Sequence, residues 1–493
     1  MPNDRYRIHT LLLGAAVLIF LGVYGIGVCK HSAYNPKTQK GTDFTAFYSA
    51  GEQILHGKNL YEYLESSVPF RPYIYPPMFA VFPMTPLALL PHDAAATVFF
   101  IINLLLLGGG LWLVWKVLAP PLLGAGTGEG EDLSRLSFFR RREFGCFVAL
   151  AVCWRFVNNN LRNGQANLYI FFCLALALYF LVKRAQAPAP DSAIEITAQL
   201  PIPNPRHREI LGGILVALAT TFKLTPGLFG VYFFWTFRRW AMVGGALGLA
   251  LFLFVIPSAV LGVHENWRCL HSWSDHFRNM AVADEETPLP ETEILIGRPK
   301  KAPAPANLPR ADGISLRGTL LKLLSPTEAI DPGESGGPHN VNVVNLDLKQ
   351  AQTVANAFAL LLLLVTVALT VPRWTRDGAM PLALSWSLTT IAMALIAPLT
   401  RAAHLVVLLI PVSVLIALLQ QNRVNGSAKA LAWLSLATLA LAGPLTSQAI
   451  IGDRANQLVQ AYGETTWSML LMYIALAAAL RQQKPDSPGT PIS

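Results

Sequence analysis

Asp43 is the residue whose type and position most invite chemistry. It stands in Gly41-Thr42-Asp43-Phe44, about a dozen residues past the first apolar run of membrane length. A carboxyl beside an apolar surface helix holds its proton more tightly, which suits a general base. The same acid could instead be solvated or cap the helix that starts at Phe44. Glu52, Glu62 and Glu65 share its loop and compete for the role. Cations arrive from elsewhere in the chain. Lys223 falls midway in an apolar stretch, in Lys223-Leu224-Thr225-Pro226. A helix broken there would offer freed termini and an ammonium to an anion, a lipid phosphate being the obvious one. The competing reading is a lysine snorkelling to the headgroups. Arg401 and His404, three residues apart, share a face if both are helical. The guanidinium could grip a phosphate with two bonds, and the imidazole could meet a leaving phosphate or a carboxylate. An interfacial Arg and a satisfied His is the alternative. Asn163, Gln165 and Asn167, in Asn163-Gly164-Gln165-Ala166-Asn167, bring side-chain amides close together. They could bond sugar hydroxyls or phosphate, or else cap and glue helices. Arg155 and Arg162 flank them and read as interface anchors.

Other chemistries lack their residues. His264, His271 and His276 are too widely spaced for a zinc site, and Cys29, Cys146, Cys153, Cys173 and Cys269 form neither a metal pattern nor a disulfide framework. Gly-rich nucleotide motifs and hydrolase or metalloprotease signatures are missing from the sequence. No cofactor is called for, and a divalent metal is compatible with the chain but not implied by any ligand cluster.

The elements that must position these residues are membrane helices. Of 493 residues 53% are apolar and 14% charged, with a mean hydropathy of +0.43, which is the composition of a polytopic membrane protein. The net charge of +9 is read as cytoplasmic Lys and Arg; with no basic patch interleaved with aromatics, nucleic acid is excluded as a partner. Spans are expected at 10–29, 95–118, 209–237, 239–262, 352–371, 380–398, 402–420, 428–447 and 465–481. Two shorter runs, 144–160 and 164–183, read as a hairpin, and the Pro-rich segment 76–91 as a short span or a re-entrant half-helix. The expected fold is thus an all-α bundle of about 10 to 13 transmembrane helices.

Basic clusters such as Arg140–Arg142, Arg206/Arg208, Arg238/Arg239 and Arg423/Lys429 are placed in the cytoplasm. The loops 30–75 and 263–350 then lie outside. All the clusters fit only if 76–91 does not fully cross and 209–237 turns back near Lys223–Pro226; the alternative is that 76–91 crosses and 209–237 is one kinked helix. The resulting organisation is a signal-anchor helix at 1–29, a first outer loop at 30–75, and membrane helices at 76–262 with cytoplasmic loops at 119–143 and 184–208. A large outer loop at 263–350, further helices at 351–482 and a disordered tail at 483–493 follow. Within 30–75, apolar residues at helical spacing from Phe44 to Leu55, stopped by Gly57, predict an amphipathic helix lying on the membrane surface.

In order, the motifs resemble glycosyltransferase family 87, mannosyltransferase-like members of the polyprenyl-phosphate-sugar-dependent GT-C superfamily. The resemblance rests on Gly41–Phe44 with Phe47-Tyr48, Gly57–Tyr61, Tyr75-Pro76-Pro77 through Pro91, Asn163–Asn167, Lys223–Pro226, Ser315-Leu316-Arg317-Gly318 and Thr400–Leu405. Gly313-Ile314 precede Ser-Leu-Arg-Gly where relatives often carry Asn-Gln, and a single His, His404, stands where some carry two. The resemblance implies a GT-C-like bundle and an inverting transfer of mannose or another hexose from a polyprenyl-phosphate carrier to a lipid or glycan acceptor. Asp43 would be the base, with Tyr75, Arg317, Lys223, Arg401, His404 and the three amides toward donor phosphate or substrate. The setting implied is a bacterial inner membrane, embedded in its lipids, with the site facing the periplasm and serving envelope glycan synthesis. The rival reading is a transporter or lipid-carrier flippase, with broken helices at Pro76/Pro77 and Pro226 forming a midplane site.

Overall fold

Proline and polar breaks divide the apolar sequence into helices of very unequal length. The computed structural model describes residues 22–31, 41–61, 73–118, 142–182, 204–282, 313–326, 340–371, 378–398 and 400–483, and among these every regular element is helical. After helical residues 22–31 come α1 (Asp43–Leu55), α2 (Pro77–Leu87), α3 (His92–Leu118), α4 (Arg142–Val152), α5 (Trp154–Asn163) and α6 (Asn167–Leu181). Next are α7 (Pro205–Phe222), α8 (Gly227–Trp235), α9 (Arg239–Leu261), α10 (Val263–Val282), α11 (Leu316–Leu324) and α12 (Leu348–Thr370). The last are α13 (Ala379–Ile396), α14 (Ala402–Gln420), α15 (Gly426–Gly443), α16 (Asp453–Ala461) and α17 (Glu464–Gln482). Six of the described helices, α3, α9, α12, α13, α14 and α15, are long and apolar enough to cross a membrane, and α16 with α17, bent by 43°, can make a seventh. The protein is an all-α polytopic membrane protein. The expected first span at 10–29, the cytoplasmic loops and the C-terminal tail fall largely outside the described residues.

Two breaks settle the alternatives left by the basic loops. In α2, Phe82 is extended (φ −142°, ψ 115°), so 77–87 is a pair of short turns about a kink, too short to cross a bilayer. In 209–237 the helix stops at Lys223, which is also extended (φ −160°, ψ 133°), and the chain runs back. Arg238, just past α8, pairs with Glu209 near the start of α7 at 3.4 Å, and Trp235 Nε1 donates to Thr370 Oγ1 at 2.9 Å. Residues 209–237 therefore form a hairpin with Lys223–Pro226 at its apex. Close ring contact of Phe229 with Trp386, with centroids 4.1 Å apart and planes tilted by 39°, fastens the returning helix to α13. On its other side α7 meets α9 at backbone contact: a Cβ on Gly213 would stand 2.0 Å from Ala241 O, and one on Gly244 2.1 Å from Ile210 O. Small residues are what allow this approach, as membrane helix pairs commonly require.

The helix α1 forms where expected, but it does not lie on a surface. Phe44, Thr45, Ala46, Phe47, Tyr48, Ser49, Ala50, Gly51 and Gln53 are all buried, because α1 is packed against α2 and α3. A Cβ on Gly51 would meet Met84 O at 2.7 Å, so the two backbones nearly touch. Its apolar spacing reports protein contact instead of contact with lipid, and Asp43 opens a helix held on several sides.

Candidate functional site

Local chemistry at the start of α1 decides what Asp43 is for. Thr42 is the N-cap residue: Thr45 N–H donates to Thr42 O at 3.0 Å and Thr42 N–H donates to Thr45 Oγ1 at 3.3 Å. Asp43 is the first helical residue, one position past the Thr42 cap. It stands half-buried at the positive end of the helix and accepts a hydrogen bond from Gln165 Nε2.

Gln165 reaches Asp43 because of the glycine before it. Gly164 ends α5 in the left-handed region (φ +59°), where Gln165 N–H donates back to Asn160 O at 3.0 Å. A Cβ on Gly164 would stand 2.5 Å from Phe44 Cβ. Only glycine both makes the turn and lets the α5–α6 corner rest on the first turn of α1. Asn167 then opens α6. Its Nδ2 donates to Asn160 Oδ1 at 3.2 Å and to Gln165 Oε1 at 3.4 Å, leaving Oδ1 to accept from Lys223 Nζ at 3.3 Å. Lys223 Nζ lies 2.5 Å from His404 Nε2 and 5.8 Å from the centre of the Tyr75 ring. Asp43, Gln165, Asn167, Lys223 and His404 thus form one connected polar chain drawn from α1, the α5–α6 corner, the α7–α8 apex and the start of α14.

Arg401 and His404 meet the chain differently from the expected shared helix face. Arg401 is extended (φ −116°, ψ 167°) and precedes a tight turn over Ala402–Leu408, and His404 folds back so that Nδ1 accepts from the Arg401 backbone N–H at 3.3 Å. The ring thus faces the Arg401 amide with Nδ1 and the Lys223 side chain with Nε2. The Arg401 charge acts here too: burial raises the Tyr75 phenol above its usual range, the Asp43 carboxylate adds to that, and Arg401 opposes it.

The Ser-Leu-Arg-Gly motif supports the site from outside. Ser315 caps α11 by accepting from Gly318 N–H at 3.0 Å, and Ile314 N–H donates to Thr400 O at 2.7 Å, tying this segment to the residue before Arg401. The fully buried Lys322 holds Gly313 O at 3.0 Å. Arg317 lies half-buried in the first turn of α11. Asn163 turns back on its own helix, donating to Asn159 O at 2.9 Å. Of the amides, then, Gln165 and Asn167 join the chain directly. Asn160 was not singled out by its sequence, yet it is fully buried and bridges both; the signal was a polar run, Asn158-Asn159-Asn160, inside an apolar segment. Among the described residues no three His, Cys, Asp or Glu side chains gather as a metal site would need.

The comparisons with known proteins bear on this arrangement. Crystal structures of ArnT from Cupriavidus metallidurans, in the apo state and bound to undecaprenyl phosphate, are similar to the chain with TM-scores of 0.37 and 0.33 at 12% identity. The matches cover 96% and 95% of this chain and 77% of theirs. Among curated protein sequences none matches. The model of glycosyltransferase family 87 matches residues 73–398, which takes in Tyr75, the amide corner, Lys223 and the Ser-Leu-Arg-Gly motif; Asp43, Arg401 and His404 lie outside the matched range. A multi-pass membrane protein with this match belongs to glycosyltransferase family 87.

Proposed function

We propose that this membrane glycosyltransferase moves a hexose from a polyprenyl-phosphate carrier to the hydroxyl of a lipid or glycan acceptor, with Asp43 as general base. The observation that carries the reading is the connected chain from the Asp43 carboxylate to the Lys223–His404 pair. It holds an acid and a set of cations apart, but within reach of one substrate. In the reaction the Asp43 carboxylate takes the acceptor proton as the acceptor oxygen bonds to the anomeric carbon. The bond from that carbon to the phosphate oxygen breaks, and its electron pair leaves with polyprenyl phosphate. Attack from the face opposite the leaving group inverts the anomeric centre. Lys223, His404 and the Arg401 guanidinium stabilise the charge that gathers on the leaving phosphate. Gln165 aims the carboxylate, and Asn167 aims Lys223, so both ends of the reaction are set by one corner of the fold. Mannose is the sugar expected from the family resemblance. The side of the membrane follows from the basic loops, which put the Asp43 end at the periplasmic face of a bacterial inner membrane.

Asp43→Asn tests the reading, since asparagine keeps the shape and removes the base. In membrane vesicles supplied with polyprenyl-phosphate mannose, transfer should fall by about three orders of magnitude. Near-normal transfer by this variant would sink the mechanism. The transporter reading has less support: the sequence shows no repeat, and the break at Lys223 lies near the acid.

A further inference from the structure

The side chains behind Asp43 form a second polar line that the reaction does not consume. His92 opens α3, with its ring flanked edge-on by Phe44 and Tyr48 at centroid distances of 5.4 and 5.0 Å. Its Nε2 lies 3.4 Å from Thr45 Oγ1, and its Nδ1 lies 3.3 Å from Asp93 Oδ1. A carboxylate can only accept, so the Asp93 contact places the neutral ring's proton on Nδ1 and leaves Nε2 as an acceptor. Thr45 can then donate its hydroxyl proton to His92 while its oxygen accepts from the Thr42 amide at 3.3 Å. Every donor and acceptor in this line is consistent: Thr42 N–H to Thr45, Thr45 O–H to His92, His92 N–H to Asp93. Thr45 is fully buried and the His92 side chain is 11% exposed, so water does not readily replace the imidazole. Tyr48 adds a second anchor, donating to Leu90 O at 2.8 Å and fixing the corner from which His92 projects.

We infer that His92 is a positioning residue for the reaction, acting through Thr45 to close the first turn of α1 and so hold the Asp43 carboxylate against Gln165. The inference rests on the reading of Asp43 as the base. A hydroxyl with two competing rotamers is given one by the imidazole, and that rotamer is the one that bonds the Thr42 amide. Without it the turn carrying Asp43 loses its side-chain closure, and a displacement of order 1 Å at a base is enough to slow proton transfer greatly.

Four full-length variants in detergent test this: His92→Phe, which keeps the ring but not the acceptor; His92→Gln, whose amide reaches the position of Nε2; Thr45→Val, which keeps the shape but not the hydroxyl; and the double variant His92→Phe/Thr45→Val. Amide hydrogen exchange over residues 41–47 is expected to quicken by about tenfold in His92→Phe and in Thr45→Val, to stay near wild type in His92→Gln, and to be no faster in the double variant than in either single one. In vesicles with polyprenyl-phosphate mannose, kcat should fall about tenfold in the first and third variants while KM for the donor stays within about twofold. Unchanged exchange in His92→Phe, failed rescue by His92→Gln, or additive effects in the double variant each overturn the inference. If Asp43→Asn in the same preparation transfers normally, or wild type does not use this donor, the proposed reaction fails instead. The exchange data still decide whether His92 holds the turn.

Discussion

Two partly buried polar clusters sit at opposite ends of α5, and they are built on different rules. At its start, Arg155 pairs with Glu464 at 3.3 Å and also donates to Ala442 O at 2.6 Å and Thr446 Oγ1 at 3.3 Å. One cation meets one anion, and the same nitrogen, Nη1, also meets two oxygens from the α15–α17 elbow. At its far end, Asn160 and Gln165 lead into a chain with a carboxylate at one end and Lys223 and His404 at the other. Here amides stand between the charges and keep them apart. A buried charge in a membrane protein is costly, so a closed ion pair is what a fold uses to fasten helices. Holding an acid and cations separated in the same surroundings is useful only if something else completes the arrangement. The difference between the clusters is the strongest physical reason to assign the reaction to the second.

The comparison can be broken by asking which cluster controls activity and which controls stability. The largest effect is expected from Asp43→Asn: about a thousandfold loss of transfer, with a thermal midpoint in detergent close to wild type. Arg155→Met should do the reverse. It leaves Glu464 buried without its cation and should lower stability by about 3 kcal/mol, while the protein that remains folded keeps its specific activity. Loss of activity at unchanged stability would move Arg155 into the site. Lys223→Met comes next, raising KM for a polyprenyl-phosphate donor and weakening inhibition by polyprenyl phosphate by roughly 30-fold, about 2 kcal/mol. If kcat falls and inhibition does not, the lysine serves the base and not the phosphate. The smallest effect is expected from Asn163→Ala, within about twofold in kcat/KM and about 0.5 kcal/mol in stability, since its side chain bonds its own helix. A large loss there would mean that the substrate draws Asn163 out of that contact.

Much of this was legible in the chain because membrane helices obey local rules. Long apolar runs gave the spans, and the distribution of Arg and Lys favoured a hairpin at Lys223–Pro226 and a non-crossing 76–91, both of which the structure adopts. Asp43, Lys223 and His404 stood out because ionisable or breaking residues beside apolar sequence are expensive. The surface placement of α1 was misread, because helical spacing of Phe44, Phe47 and Tyr48 marks an apolar face without saying whether lipid or protein covers it. Arg401 was placed on a helix that starts one residue later. His92 escaped notice because its partner, Thr45, is distant in sequence.

Sequence alone therefore determined the class of molecule, most of the spans and which residues were chemically out of place, since each of these follows from local hydrophobicity, charge and family motif. Tertiary structure decided what those residues do to one another. Whether Asp43 caps a helix or faces an amide, and whether Lys223 reaches headgroups or His404, depends on contacts across the fold. Those contacts exist because Gly164 admits the backbone of α1 and because the chain reverses at Lys223.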